Sequence, residues 1–172
     1  RSDVTAQISR IASTRLPHLP RPLRLSYSGD VLRVKGDSFN MERQKTQVGA
    51  ELIGSKSAFV DAEVILICLK ALKSIDINRM TLDLNLPFLR EYFLSSLSDS
   101  MKETINEAID RKDQKTLKNL KFDNSETLIQ FMECTGDDLH ATKYLSRLKL
   151  DGKLTQIRDH FLKVIKIIKR NK

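Results

Sequence analysis

Arg43–Gly54 reads RQKTQVGAELIG. Arg43, Gln47 and Glu51 stand four and four apart, a spacing that on a helix would place all three on one face. The residues between them oppose a helix. Thr46, Val48 and Ile53 are β-branched, Gly49 is poor in a helix interior, and Gly54 closes the run. As a strand the same even spacing still puts the three polar side chains on one face, with Thr46, Val48, Ala50 and Leu52 on the other. A guanidinium, a carboxamide and a carboxylate along one sheet face are costly to bury unless they meet partners or a ligand. Two readings stay open at this point: the face lines a small polar pocket, or it is an internally satisfied network.

The strand lies in a chain of 172 residues with a net charge of +8. That length suits one sizeable domain or two small ones, and 40% hydrophobic with 30% charged residues suits a globular protein. The longest apolar run, Val64–Leu69, is too short to cross a bilayer, and no signal-peptide pattern opens the chain. Cys68 and Cys134 lack a CxxC spacing and sit among apolar residues, so buried free thiols of a cytoplasmic protein are expected. The charge is uneven: +4 on residues 1–54, −2 on 55–152 and +6 on 153–172. The basic end is also amphipathic, with Leu154, Ile157, Phe161, Leu162, Val164, Ile165 and Ile168 at helical spacing. Its lysines are expected to form a solvated face, with no nucleic acid or membrane partner.

Outward from the strand, Ile8, Ile11 and Ala12 predict a short helix over Thr5–Thr14, ended by Pro17, Pro20 and Pro22. Leu23–Tyr27 and Val31–Val34 read as strands about a Ser28-Gly29-Asp30 turn, and Lys35–Met41 as a loop. Ser57–Ser74 predicts a helix with a broad apolar face, Thr81–Leu84 a short strand, and Phe88–Leu97 a helix after Pro87. Beyond Ser96 the pattern is helical throughout: Ser100–Lys112, Gln114–Leu120, Ser125–Cys134, Asp138–Leu150 and Leu154–Lys169. Asp99 or Ser100, Asn124 and Asp137 are the expected caps, with Gly136 and Gly152 at joints. The fold class is therefore α+β, with a mixed front over residues 1–96 and an all-α back over 97–172.

Three groups of residues could carry chemistry. Asp3 and Thr5 precede a helix, which suits an N-cap or a contact to a cationic ligand group. Arg33 stands at the lip of a strand–loop–strand hairpin, where a guanidinium fork can hold an anion or simply be solvated. Arg43, Gln47 and Glu51 form the third group. His18, His140 and His160 are far apart in sequence, and no nucleophile–base pair, phosphate loop or metal-ligand spacing is present. No catalytic residue, metal or cofactor is expected.

Several segments, in order, resemble the catalytic core of class II aminoacyl-tRNA synthetases of the histidyl type. They are Arg1-Ser2-Asp3-Val4-Thr5, Leu32-Arg33-Val34-Lys35, Gln47-Val48-Gly49-Ala50-Glu51 and Asp61-Ala62-Glu63-Val64. Two departures from that pattern stand out, the second where the family holds the nucleotide. Val4 replaces a glycine, and Lys35 replaces the acid two residues after the arginine of motif 2. A second resemblance covers most of the chain. Asp3, Thr5, Gln7 and Arg10, then Arg21–Tyr27, Gln47–Gly54, Leu82–Leu84 and Ala108–Asp113 are similar to the regulatory-subunit family of ATP phosphoribosyltransferase, paralogues of histidyl-tRNA synthetase.

The second resemblance implies a non-catalytic subunit in histidine biosynthesis. It implies a class II-like antiparallel sheet with flanking helices, followed by a helical insertion. Asp3, Thr5, Arg33, Arg43, Gln47 and Glu51 would be the amino-acid-binding residues. The implied partners are the short-form catalytic phosphoribosyltransferase and histidine, with a homodimer inside a hetero-oligomer. Opening on Arg rather than Met, the stretch is expected to be the middle of a longer chain, with motif 1 and the dimer strands before it and motif 3 after it. The alternatives are an active histidyl-tRNA synthetase, and a degenerate paralogue whose polar face is only a satisfied network.

Overall fold

The computed structural model describes residues 2–34, 42–150 and 152–171, the side chain of Phe88 excepted. The chain divides into two compact units, Arg1–Asn78 with Lys163–Lys172, and Arg79–Leu162.

The first unit is built on an antiparallel ladder of β1 (Leu23–Leu32) and β2 (Gln44–Ile53), running from Leu23 opposite Ile53 to Leu32 opposite Gln44. Burial alternates with period two along β1, so the odd-numbered residues of both strands share the inner face. Helix α1 (Thr5–Thr14) packs on that face. Val4, Ile8 and Val31 are buried together there, with Leu25, Tyr27 and Ile53 against them. Arg21 reaches the end of α1, donating to the carbonyls of Ala12 and Leu16 at 3.1 and 3.2 Å. Gly54 ends β2 at φ +97°, a left-handed conformation that glycine adopts without strain. Helix α2 (Ala58–Lys73) starts at Ser57, whose hydroxyl accepts from the Phe59 N–H. Its Glu63 takes a two-pronged bond from Arg24, at 2.6 and 2.9 Å.

Two expectations need correcting here. The Ser28-Gly29-Asp30 turn does not form, and β1 runs unbroken through it. Gly29 pairs with Gln47, and the Asp30 carboxylate accepts from Thr46, its cross-strand partner, at 2.9 Å and from Gln44 at 3.0 Å. Turn-forming residues are thus absorbed by a ladder that supplies their hydrogen bonds. The loop expected at Lys35–Met41 lies outside the described residues. Cys68 is exposed and Cys134 half-buried, both as free thiols, so neither is the fully buried group expected. Burial and the adjacent Glu133 push the Cys134 thiol up to about 11.

The second unit holds α3 (Phe88–Leu94), α4 (Asp99–Asp110), α5 (Gln114–Asn119), α6 (Ser125–Glu133) and α7 (Asp138–Arg147); the boundary between the units falls inside α8 (Gly152–Arg170). One apolar cluster holds it, with Phe93, Ile105, Leu117, Phe122, Leu128, Phe131, Leu145 and Leu154 among its buried members. Ser98, not Asp99 or Ser100, caps α4, and Asp137 caps α7 through the N–H groups of Leu139 and His140. Asn124 precedes α6 in the left-handed region at φ +65° and gives no side-chain cap. The strand expected at Thr81–Leu84 is not formed. Exposure does alternate there, with Met80, Leu82, Leu84 and Leu86 half-buried and the residues between them exposed, but no ladder partner lies among the described residues. Among the described residues no helix is long and apolar enough to cross a membrane.

Candidate functional site

The inner face of the hairpin and the start of α1 meet at five side chains. Thr5, the first residue of α1, donates from Oγ1 to Glu51 Oε1 at 2.8 Å. Gln47 donates from Nε2 to Asp3 Oδ1 and to the Tyr27 hydroxyl, each at 3.2 Å. Asp3 also receives the backbone N–H groups of Val4 and Thr5 on the same oxygen, at 2.7 and 3.3 Å. The N-cap of α1 is Val4, without a side-chain cap, so neither Asp3 nor Thr5 caps the helix as expected; Asp3, one residue earlier, accepts on one oxygen from the N–H groups of Val4 and Thr5 and from Gln47. The Thr5 N–H, then Gln47 and the Val4 N–H, hold this carboxyl below its usual 3.8.

Local sequence explains the assembly. Gln47, Gly49 and Glu51 alternate with outward residues along β2, and the register sets Tyr27 opposite Gly49 and Leu25 opposite Glu51. A Cβ at Gly49 would lie 2.4 Å from the Tyr27 ring, so only glycine leaves room for that ring on the inner face. Gln47 Oε1 is buried without a hydrogen-bond partner among the described residues. This oxygen is an acceptor, and it lies beside the carboxylates of Asp3 and Glu51, while the Tyr27 hydroxyl, which accepts from Gln47, keeps its own proton to donate. Such a group suits a ligand that brings N–H donors or an ammonium.

Arg33 and Arg43 stand elsewhere on the same hairpin. Both lie just beyond the ladder, joined by the Arg33 N–H to the Arg43 carbonyl at 2.8 Å, with exposed side chains. Arg43 is four residues from Gln47, about 13 Å along an extended strand. Among the described residues no hydrogen bond links either guanidinium to Asp3, Thr5, Gln47 or Glu51. No cluster of three potential metal ligands occurs among the described residues. Sequence reading missed Tyr27 and Gly49 as members of the site. The available signal was a glycine between two polar residues of one face, which leaves space for a large side chain on the neighbouring strand.

The model of the family described as Histidyl-tRNA synthetase matches residues 1–172. The chain belongs to the histidyl-tRNA synthetase family. Within it, the chain is 39% identical over 170 residues to an ATP phosphoribosyltransferase regulatory subunit of Rhodospirillum centenum, covering 98% of this chain and 44% of that protein. It is 43% identical over 149 residues to one of Gluconobacter oxydans, covering 86% and 39%. The chain thus spans less than half the length of these relatives. A crystal structure described as an ATP phosphoribosyltransferase regulatory subunit/histidyl-tRNA synthetase from Bacillus halodurans C superposes with a TM-score of 0.72 at 20% identity, over 99% of this chain and 46% of that one. That likeness fixes the fold as class II synthetase-like, and the antiparallel sheet with its helices is the α+β arrangement expected.

Proposed function

We propose that this chain is part of a non-catalytic regulatory subunit of ATP phosphoribosyltransferase, acting in histidine biosynthesis with an amino-acid pocket on its hairpin. The observation that carries the reading is the grouping of Asp3, Thr5, Gln47 and Glu51 into one acceptor-rich site. Lys35, in the place of an acid on the ATP side of the family pattern, argues against nucleotide activation. The relatives at 36–43% identity that carry the regulatory-subunit name support it too. In this reading Glu51 and Asp3 take cationic groups of histidine, while Gln47 and Thr5 are hydrogen-bond partners. Arg33 and Arg43 hold the anionic end of the ligand from the far end of the hairpin. The synthetase-like core is residues 1–96 and the helical insertion 97–172. The partner is the short-form catalytic chain, bound in a cytoplasmic hetero-oligomer by a homodimer of the regulatory subunit.

The full-length protein should bind histidine or capture the short-form catalytic chain, and should show no ATP–pyrophosphate exchange. Robust histidine-dependent exchange would sink the reading in favour of an active histidyl-tRNA synthetase. Glu51→Gln separates a pocket from a structural network. Histidine binding, followed by calorimetry, should be lost while the melting temperature barely moves; collapse of the fold would make the polar face structural only.

A further inference from the structure

Gln47 has one nitrogen and one oxygen to place, and the surroundings decide which goes where. Turning the amide over would set its oxygen against the Asp3 carboxylate, acceptor to acceptor, so Asp3 fixes the sense of the amide. The Tyr27 hydroxyl, 3.2 Å from the same nitrogen, takes the other N–H and fixes the plane. Both donors are then used, and Oε1 is left buried with nothing to accept from among the described residues. A buried acceptor without a donor is uncommon and leaves a place for one more N–H or O–H group; Asn106 Oδ1 is another such atom among the described residues, but only Gln47 Oε1 has carboxylates beside it in the hairpin site. The Tyr27 ring is itself held in place, because it fills the space a Cβ at Gly49 would need.

We infer that Tyr27 is a positioning residue, which with Asp3 pins the Gln47 amide so that Oε1 accepts from an N–H donor of the bound ligand. This rests on the pocket reading above and adds a residue and a direction to it. The ligand class is an amino acid or similar small molecule with a primary ammonium. Tyr27 need not touch it.

The test titrates two probes into the full-length protein by calorimetry: L-histidine, and imidazolepropionate, which has the same skeleton without the ammonium. Tyr27→Phe keeps the ring over Gly49 and removes the hydroxyl. Histidine affinity should fall about tenfold, the loss of one hydrogen bond. Imidazolepropionate affinity should change less than about twofold and the melting temperature by less than about 2 °C. Gln47→Met, which lacks the acceptor, should show at least as large a loss for histidine, and adding Tyr27→Phe to it should do nothing more. Equal losses for both probes, unchanged histidine binding in Tyr27→Phe, or additive effects of the two substitutions would overturn the positioning role alone. If the wild-type protein binds no histidine, the pocket reading fails first and takes this role with it.

Discussion

The two units of this chain use their interiors differently. In the helical unit a dozen buried apolar residues form one cluster, and the polar groups mostly close helix ends. The hairpin unit also buries apolar residues, among them Leu23, Val60, Ala62 and Val164, but on the inner face of its hairpin Val4, Ile8 and Val31 sit beside a row of polar side chains. The helical unit fills its interior with apolar side chains, whereas the hairpin unit adds hydrogen-bonded polar side chains to its inner face. A polar face contributes less to stability per unit area than an apolar one but can discriminate a ligand.

The sharpest way to break this contrast is to empty the helical core. Leu117 is fully buried, and Leu117→Ala should cost about 2–5 kcal/mol. Urea unfolding would measure the loss, and amide exchange should place it in residues 79–162 with the hairpin amides unchanged. Uniform loss of protection would mean that the two units unfold as one. Next comes overfilling the hairpin face. Gly49→Ala drives a methyl into the Tyr27 ring and should cost about 1–3 kcal/mol, displacing the ring. The Tyr27 ring resonances should shift, and their staying put would show that β2 itself gives way.

The smallest effect expected is the acid response. Asp3 has a lowered value in the folded chain, so its contribution is present above its ordinary 3.8 and drains away as pH falls through the lower folded value. Asp113, bonded to the Thr116 side chain and N–H, and Asp137, bonded to the His140 and Leu139 N–H groups, behave alike in the helical unit. Asp3→Asn should therefore flatten the pH dependence of hairpin exchange below about pH 4 and leave that of α5 and α7 unchanged. An unaltered hairpin profile would remove Asp3 from the network.

What could be read locally came out well. Gln44–Ile53 is a strand because β-branched residues and even spacing agree along one segment, and α1 covers Thr5–Thr14 because its apolar residues repeat at helical spacing. Features that depend on a distant partner were not legible. Asp30 carries turn chemistry until Thr46 and Gln44 arrive across the ladder. Thr81–Leu84 carries strand chemistry but meets no strand among the described residues. The same holds at the site. Asp3, Thr5, Gln47 and Glu51 were visible as residue types in a family-like order. Tyr27 enters only through register, which no single segment reveals.

That register has a bearing on folding fidelity. In a two-residue-period ladder, a slip of one position would turn Gln47 and Glu51 to the opposite face. It would also bring Val48 or Ala50 beneath the Tyr27 ring, where Gly49 alone leaves clearance for it. The misaligned hairpin is therefore obstructed by the very pairing that shapes the site, so the ring and the glycine act as a proofreading step. A chain that closes this hairpin closes it with its polar face assembled.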